Sequence, residues 1–293
     1  MSTPRFLDLP PGVRRMDVAT PDGPIAALAA VPAAGGCEFQ AAVLVPGFTG
    51  SKEDFIALLQ TLAQAGRRVY AIDLPGQYES PGPEDPAAYT CAALGRCVTD
   101  LIRALDEGPV HLLGHSFGGL VTRETVLSGE VPLLSYTAMG SGPSGIAGTS
   151  AANARALMAL LGDSPTSEVL AAIWWEHFDS QARSSVPTEE LYAFLRDRML
   201  ANSPIGLVRM AHEVTSAADR TGELAAVDLP KLVLYGENDD AWPPQVQSDM
   251  AERLKAQRVV VPGAAHSPNV EAPETTASAL TDFWNSVEKT RKP

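Results

Sequence analysis

Gly114-His115-Ser116-Phe117-Gly118-Gly119 directly follows the apolar run Val110-His111-Leu112-Leu113 and directly precedes Leu120-Val121-Thr122-Arg123-Glu124-Thr125, whose pattern is helical. Strand, sharp turn and helix together form the setting in which G-x-S-x-G becomes a nucleophile elbow. Small residues on both sides of Ser116 let the backbone turn tightly and lift the hydroxyl above a sheet. The helix beyond it adds a backbone amide donor and the positive end of a dipole where an oxyanion would form. A glycine-rich turn in which Ser116 only caps the helix shares the five-residue pattern; the strand and helix on either side favour the nucleophile.

A serine hydroxyl is a poor nucleophile at neutral pH, so this reading requires a base and an orienting acid. Of the five histidines, His111 lies inside the strand, His115 adjoins Ser116 on the wrong side of the turn, and His177 and His212 fall in a later helical region. His266 occurs in Pro262-Gly263-Ala264-Ala265-His266-Ser267-Pro268, a turn-rich loop after the final strand, where a side chain can reach over the strands' carboxyl ends. It is the base of choice. For the acid, the loop Tyr235-Gly236-Glu237-Asn238-Asp239-Asp240-Ala241-Trp242 offers two adjacent aspartates whose side chains diverge. One faces His266 while the other caps the helix that Pro243 and Pro244 start. Asp239 is assigned to the imidazole, with Asp240 as second choice and Glu237 behind both.

Working outward, short β-branched or aliphatic runs alternate with longer helix-patterned segments, which points to a mostly parallel sheet with helices on its faces. Val13–Asp17 and Pro24–Val31 flank the turn cluster Pro21-Asp22-Gly23 and read as an antiparallel pair at the sheet edge. Ala41–Val45, Arg68–Ile72 and Val110–Leu113 read as buried parallel strands separated by helices expected at Lys52–Gly66 and Ala92–Glu107, and Leu133–Met139, Lys231–Tyr235 and Arg258–Val261 continue the series. Between Met139 and Val227 the rhythm stops, and helical stretches follow at Ala151–Leu161, Ser167–Phe178, Thr188–Ala201 and Pro204–Ala217. The expected organisation is a core of 1–139 and 228–293 interrupted by a helical insertion, 140–227.

The length of 293 residues suits one such core plus an insertion, and 45% hydrophobic with 19% charged residues suits a globular chain. A formal charge of −13 disfavours nucleic acid and anionic membranes as partners. No apolar run is long enough to span a bilayer and no secretory signal is visible, which points to a cytoplasmic location. Cys37, Cys91 and Cys97 lack metal-ligand spacing and read as reduced, buried thiols. No metal cluster, phosphate-binding loop or dinucleotide fingerprint appears, so neither metal nor cofactor is expected. Oligomeric state is not readable from the sequence.

The order Ser116, Asp239, His266, the elbow and the strand pattern resemble the α/β-hydrolase superfamily over almost the whole chain, in its serine-nucleophile branch with a helical cap. Val45-Pro46-Gly47-Phe48-Thr49-Gly50-Ser51-Lys52-Glu53-Asp54-Phe55 looks like the family's oxyanion loop after the third strand, and Asp73-Leu74-Pro75-Gly76 like the loop after the fourth. Carried over by position, the resemblance implies that the oxyanion hole is formed by the backbone N–H groups of Phe48 and Phe117. Pro46 stands where many members have histidine, which leaves the backbone donor intact. Gly76-Gln77-Tyr78-Glu79-Ser80 puts Tyr78 where a small residue is common, so its ring either reshapes a pocket wall or points into solvent. Serine at 116 argues against the dehalogenase and epoxide hydrolase branches, which use aspartate.

The implied mechanism is acyl transfer to water: His266 takes the Ser116 proton, Asp239 supports the imidazolium, and the two amides bind the oxyanion. Activity should then rise as His266 loses its proton. The resemblance makes the insertion a cap over the site. Its Met158, Trp174, Trp175, Phe178, Tyr192, Phe194, Leu195, Met199 and Leu200 either form an apolar roof, favouring a small, partly apolar acyl substrate, or pack the cap's own core. Trp174-Trp175-Glu176 resembles a cap segment of proline iminopeptidases, which makes Glu176 a specificity candidate. The leading expectation is a carboxylic ester hydrolase. Carbon–carbon bond hydrolase, cofactor-free perhydrolase or haloperoxidase, and iminopeptidase-like amidase activities remain open on the same motifs, as does a hydrolase-like ligand-binding protein.

Overall fold

A computed structural model of the chain describes residues 2–32 and 36–291. Residues 1, 33–35 and 292–293, which fall within the core ranges read from the sequence, lie outside the described residues. Eight strands form one sheet in the order β1-β2-β4-β3-β5-β6-β7-β8. They are β1 (Val13–Thr20), β2 (Gly23–Ala30), β3 (Ala42–Val45), β4 (Val69–Ile72), β5 (Val110–His115), β6 (Leu133–Met139), β7 (Lys231–Gly236) and β8 (Gln257–Val261). The first two pair antiparallel around the Pro21-Asp22 turn and β2 pairs antiparallel with β4; the remaining pairings are parallel. This is the α/β-hydrolase fold expected from the sequence.

The side-chain period of two divides each central strand between two cores. Val43 and Val45 of β3, Leu112 of β5 and Val233 and Tyr235 of β7 point into one cluster. Ala42 and Leu44, Leu113, and Leu232 and Leu234 point into the other. The first face is covered by α2 (Cys91–Leu105), α3 (Phe117–Ser128) and, later in the chain, α10 (Pro244–Leu254), through Leu94, Val98, Leu101, Leu120, Val121, Met250 and Leu254. The second is covered by α1 (Ile56–Gln64) and the last helix, α12 (Pro273–Arg291), which follows the short α11 (Pro268–Glu271), through Leu58, Leu59, Leu62, Leu280, Phe283 and Trp284. Each fully buried Leu or Phe contributes roughly 1.5–3 kcal/mol, so the strands that read as continuous apolar runs are those with helices on both sides.

Helices α4 (Gly148–Leu161), α5 (Ser167–Ile173), α6 (Asp179–Ser185), α7 (Glu189–Ala201), α8 (Pro204–Ser216) and α9 (Thr221–Ala226) all lie between β6 and β7. A third cluster, containing Leu157, Leu170, Trp174, Tyr192, Phe194, Leu195, Met199 and Leu207, is internal to this insertion. Ala154, Met210, Ala211, Val214 and Leu224 instead join the first core cluster, so α4, α8 and α9 carry side chains that dock on the body. The neck is tied as well: Arg123 Nη1 donates to Pro143 O at 2.8 Å and to Ala218 O at 3.2 Å, which joins the chain where it leaves the sheet to where it returns.

Three local expectations change. The helix expected over Lys52–Gly66 opens as a 3₁₀ turn, Lys52–Phe55, before α1, and the stretch expected as Ser167–Phe178 ends its α-helix at Ile173 and continues as a single π turn, Trp174–Phe178. Apolar periodicity cannot separate these windings, since each keeps one face inward over a single turn. Cys91 and Cys97 are buried, but Cys37 is exposed, because it lies in the loop joining β2 to β3 rather than on an element with a packed face.

Candidate active site

Ser116 occupies the single-residue turn between β5 and α3 with φ 55° and ψ −122°, a left-handed conformation that costs a non-glycine residue of order 1–3 kcal/mol. The surroundings explain the glycines on either side. A Cβ on Gly114 would stand 2.2 Å from the Gly118 carbonyl oxygen, and one on Gly118 would stand 2.4 Å from the Pro46 carbonyl oxygen, so any side chain would push backbone against backbone. Ser116 N donates to Met139 O at 2.9 Å, which anchors the turn to the end of β6.

His266 Nε2 lies 2.9 Å from Ser116 Oγ, and His266 Nδ1 lies 3.0 Å from Asp239 Oδ1. The Asp239 carboxylate is inaccessible to solvent. Burial pushes its pKa up, but the hydrogen bond and charge of His266, with bonds from Gln247 and the Ala241 amide, outweigh that and hold it below the ordinary aspartate value. An ionised Asp239 accepts only, so the neutral imidazole carries its proton on Nδ1 and leaves Nε2 as the acceptor facing the serine hydroxyl.

The second aspartate is exposed and takes neither of the expected roles. Asp239 Oδ1 itself accepts from Ala241 N at 2.9 Å and Trp242 N at 3.2 Å, while Gln247 Nε2 donates to Oδ2 at 2.9 Å. The Asp239 carboxylate, not Asp240, therefore holds the amides of the turn that leads into the helix, and α10 begins at Pro244 with no side-chain cap. The Trp242 ring lies 6.1 Å from that of His266, centroid to centroid.

His115 is structural in its contacts. Its Nε2 lies 2.9 Å from the His266 carbonyl oxygen, so that nitrogen donates and ties the β5 end to the histidine loop. Burial, reinforced by the neighbouring His266, pushes its pKa down to about 3. His111 sits at the opposite end of β5, 2.7 Å from Ser135 Oγ and 3.0 Å from Glu288 of α12, while His177 and His212 are exposed.

Phe117 opens α3, so its amide is among those a helix start leaves without an intrahelical acceptor. The Phe48 ring is partly buried and packs against both the first core cluster and the insertion's cluster. Gly47 touches the elbow: a Cβ there would lie 3.0 Å from Ser116 Cβ and 3.4 Å from Oγ. The loops after β3 and β5 thus meet at the serine.

Tyr78 neither faces open solvent nor stands alone. Its ring lies 4.6 Å from Lys52 Nζ and meets Phe194 of α7 edge-on at 5.6 Å. It also borders a cleft of about 710 Å³ between the loop after β4 and the insertion, whose lining includes Glu79, Thr166, Leu200 and Asn202 but not Ser116, Asp239 or His266. Trp174 is fully buried inside the insertion, Trp175 is 56% exposed, and Glu176 is exposed beside His177. Among the described residues no group of three or more His, Cys, Asp and Glu side chains is placed to hold a metal ion. Among the described residues no helix is long and apolar enough to cross a membrane.

Several supporting residues carried no signal in the sequence. Arg198 of α7 and Asp54 beside the oxyanion-like loop form an ion pair at 2.8 Å with both side chains fully buried. Asn269, three residues after His266, donates to Asp54 O at 2.7 Å. Gln77 lies in the loop after β4, next to the more conspicuous Tyr78.

The eight-stranded sheet and the strand–turn–helix at Ser116 define the class, an α/β hydrolase. The chain belongs to the alpha/beta hydrolase family, whose model matches residues 42–279. A putative 2-succinyl-6-hydroxy-2,4-cyclohexadiene-1-carboxylate synthase from Bacillus subtilis is 26% identical over 260 residues, covering 85% of this chain and 91% of that protein. A pimeloyl-[acyl-carrier protein] methyl ester esterase from Neisseria meningitidis is 28% identical over 258 residues, covering 83% and 76%. Among solved structures, a hydrolase from Pseudomonas aeruginosa is similar at TM-score 0.70 and 25% identity over 92% of this chain and 98% of its own. A thermophilic esterase from Thermogutta terrifontis shares the fold at TM-score 0.71 and 23% identity, over 94% and 99%.

Proposed function

We propose that the protein hydrolyses a carboxylic ester or related acyl compound through an acyl-enzyme on Ser116. The carrying observation is the unbroken line from Asp239 Oδ1 to His266 Nδ1 at 3.0 Å and from His266 Nε2 to Ser116 Oγ at 2.9 Å. As Ser116 Oγ attacks a carbonyl carbon, its proton passes to His266 Nε2 and Asp239 stabilises the imidazolium. The negative charge that develops on the carbonyl oxygen is bound by the Phe48 and Phe117 amides, with the positive end of α3 behind the second. His266 returns its proton to the leaving group, and water repeats the sequence on the acyl-enzyme.

The insertion serves as the cap. Phe48, which follows the glycine that meets Ser116 and packs against both the first core cluster and the insertion's cluster, is the side chain assigned to the substrate's apolar part. The acyl substrate is a small molecule, and the formal charge of −13 fits no polyanionic partner. The test is turnover of p-nitrophenyl esters of increasing chain length, beside peroxide-dependent halogenation and diketone cleavage, in the parent and in Ser116→Ala. Ester turnover that disappears in Ser116→Ala is expected; ester turnover that survives it would overturn the reading.

The likeness to a protein named as a synthase favours a second reading, in which the same three side chains serve a synthase reaction. Trapping an acyl-enzyme on Ser116 during turnover separates the two.

A further inference from the structure

The peptide group joining Gly47 to Phe48 carries the amide proposed above as an oxyanion donor, and its carbonyl is held from two directions. Gln77 Nε2 donates to Gly47 O at 2.9 Å, and Gly50 N donates to the same oxygen at 3.0 Å. A carbonyl oxygen has two lone pairs, so both are used. The peptide is planar and, like the others among the described residues, trans, so its C=O and N–H point to opposite sides. Holding the carbonyl therefore holds the direction of the Phe48 N–H. Hydrogen bonds to the carbonyl also polarise the amide and make it the stronger donor.

Gln77 is itself fixed. Its side chain is fully buried. Its Oε1 accepts from Leu74 N at 3.1 Å, its backbone N donates to Leu74 O at 2.9 Å, and its backbone O accepts from Ser80 N at 2.9 Å. Closing that turn needs only the backbone bonds and Oε1. The remaining half of the amide reaches across to the loop after β3, at the residue that packs against Ser116.

We propose that Gln77 is a positioning residue for acyl transfer, which aims the Phe48 amide at the oxyanion by holding the Gly47 carbonyl. The proposal rests on the reading of Ser116 as nucleophile and Phe48 as donor. Without the Nε2 donor, Gly47 O keeps one bond, the peptide can tilt, and the oxyanion loses alignment rather than substrate losing its pocket.

The test compares Gln77→Leu and Gln77→Met, which remove the donor, with Gln77→His, which keeps a ring N–H. Steady-state turnover of a p-nitrophenyl ester is read beside inhibition by a trifluoromethyl ketone, whose serine adduct carries an oxyanion. In the first two variants kcat should fall roughly 10- to 100-fold with KM changed by less than about threefold. The ketone's inhibition constant should rise by the same factor as kcat falls, and Gln77→His should recover most of both. Unchanged kcat in the donor-free variants, a loss of kcat without weaker ketone inhibition, or a Gln77→His as impaired as Gln77→Leu would each overturn the proposal. Failure of both donor-free variants to fold, judged by circular dichroism, would make Gln77 a fold determinant and overturn it too. A parent whose activity survives Ser116→Ala overturns the functional reading, and this proposal with it; an active, Ser116-dependent parent with unaffected Gln77 variants overturns this proposal alone.

Discussion

Asp239 and Asp240 are neighbours with the same chemistry, yet the fold buries one against His266 and leaves the other in water. The two should therefore respond very differently to the same change. Asp239→Asn removes the charge that supports the imidazolium and can reverse the imidazole tautomer, so kcat should fall by about 10⁴-fold, whereas Asp240→Asn should leave it nearly unchanged. Ester kinetics of the two variants check this. His115 makes a separate prediction through stability. Its folded value of about 3 lies below the ordinary 6.5, so between those values the unfolded chain binds a proton that the folded chain refuses. Its contribution is intact above that window and is lost as pH falls through it, at up to about 1.4 kcal/mol per pH unit. Urea denaturation at stepped pH should show a shallower acid-side slope in His115→Asn than in the parent; equal slopes would remove His115 as the source. At this scale the sequence was informative where chemistry is concentrated in a motif, as at Ser116 and His266. It was silent on Gln77 and Arg198, because a glutamine or an arginine shows its role only through the loop it meets.

Between elements, the insertion is held by contacts whose partners are far apart in the chain. The Arg198 pair with Asp54 links α7 to the 3₁₀ turn beside the oxyanion-like loop across 144 positions, and Arg198 Nη2 also donates to Ser2 O at 2.7 Å. Arg198→Met would leave Asp54 buried without its cation and should lower stability by about 3–5 kcal/mol in urea denaturation. Adding Asp54→Leu should return much of that loss, since two apolar side chains tolerate the same burial. No recovery in the double variant would mean that the pair acts through contacts other than its charge. Strands were the most legible elements, since β-branched and aliphatic runs such as Ala42–Val45 and Lys231–Gly236 can be buried on both faces only inside such a sheet. The winding of short turns was not legible: Trp174–Phe178 places Trp174 inward and Trp175 outward, as an ordinary helical turn also would.

Across the whole molecule, the sheet gathers at one edge what the sequence keeps apart. Ser116 follows β5, Asp239 follows β7, His266 follows β8, and the Gly47–Phe48 peptide follows β3. Parallel strands deliver all four loops to their common carboxyl edge, which is why order along the chain was enough to anticipate the constellation. The insertion leaves that edge after β6, so the surplus length enters where it can cover the serine. Its interior is mostly its own core, and for that reason the apolar side chains that would meet a substrate were less legible than the meeting of Ser116, Asp239 and His266: Trp174, Tyr192, Phe194, Leu195 and Met199 are apolar because they pack one another. The account turns on Ser116 as the nucleophile. Incubating the protein with a fluorophosphonate and mapping the adduct by peptide mass spectrometry measures this most directly. The account predicts one adduct, on the peptide carrying Ser116, absent from a folded Ser116→Ala variant; an adduct on another residue, or one that persists in that variant, would contradict it.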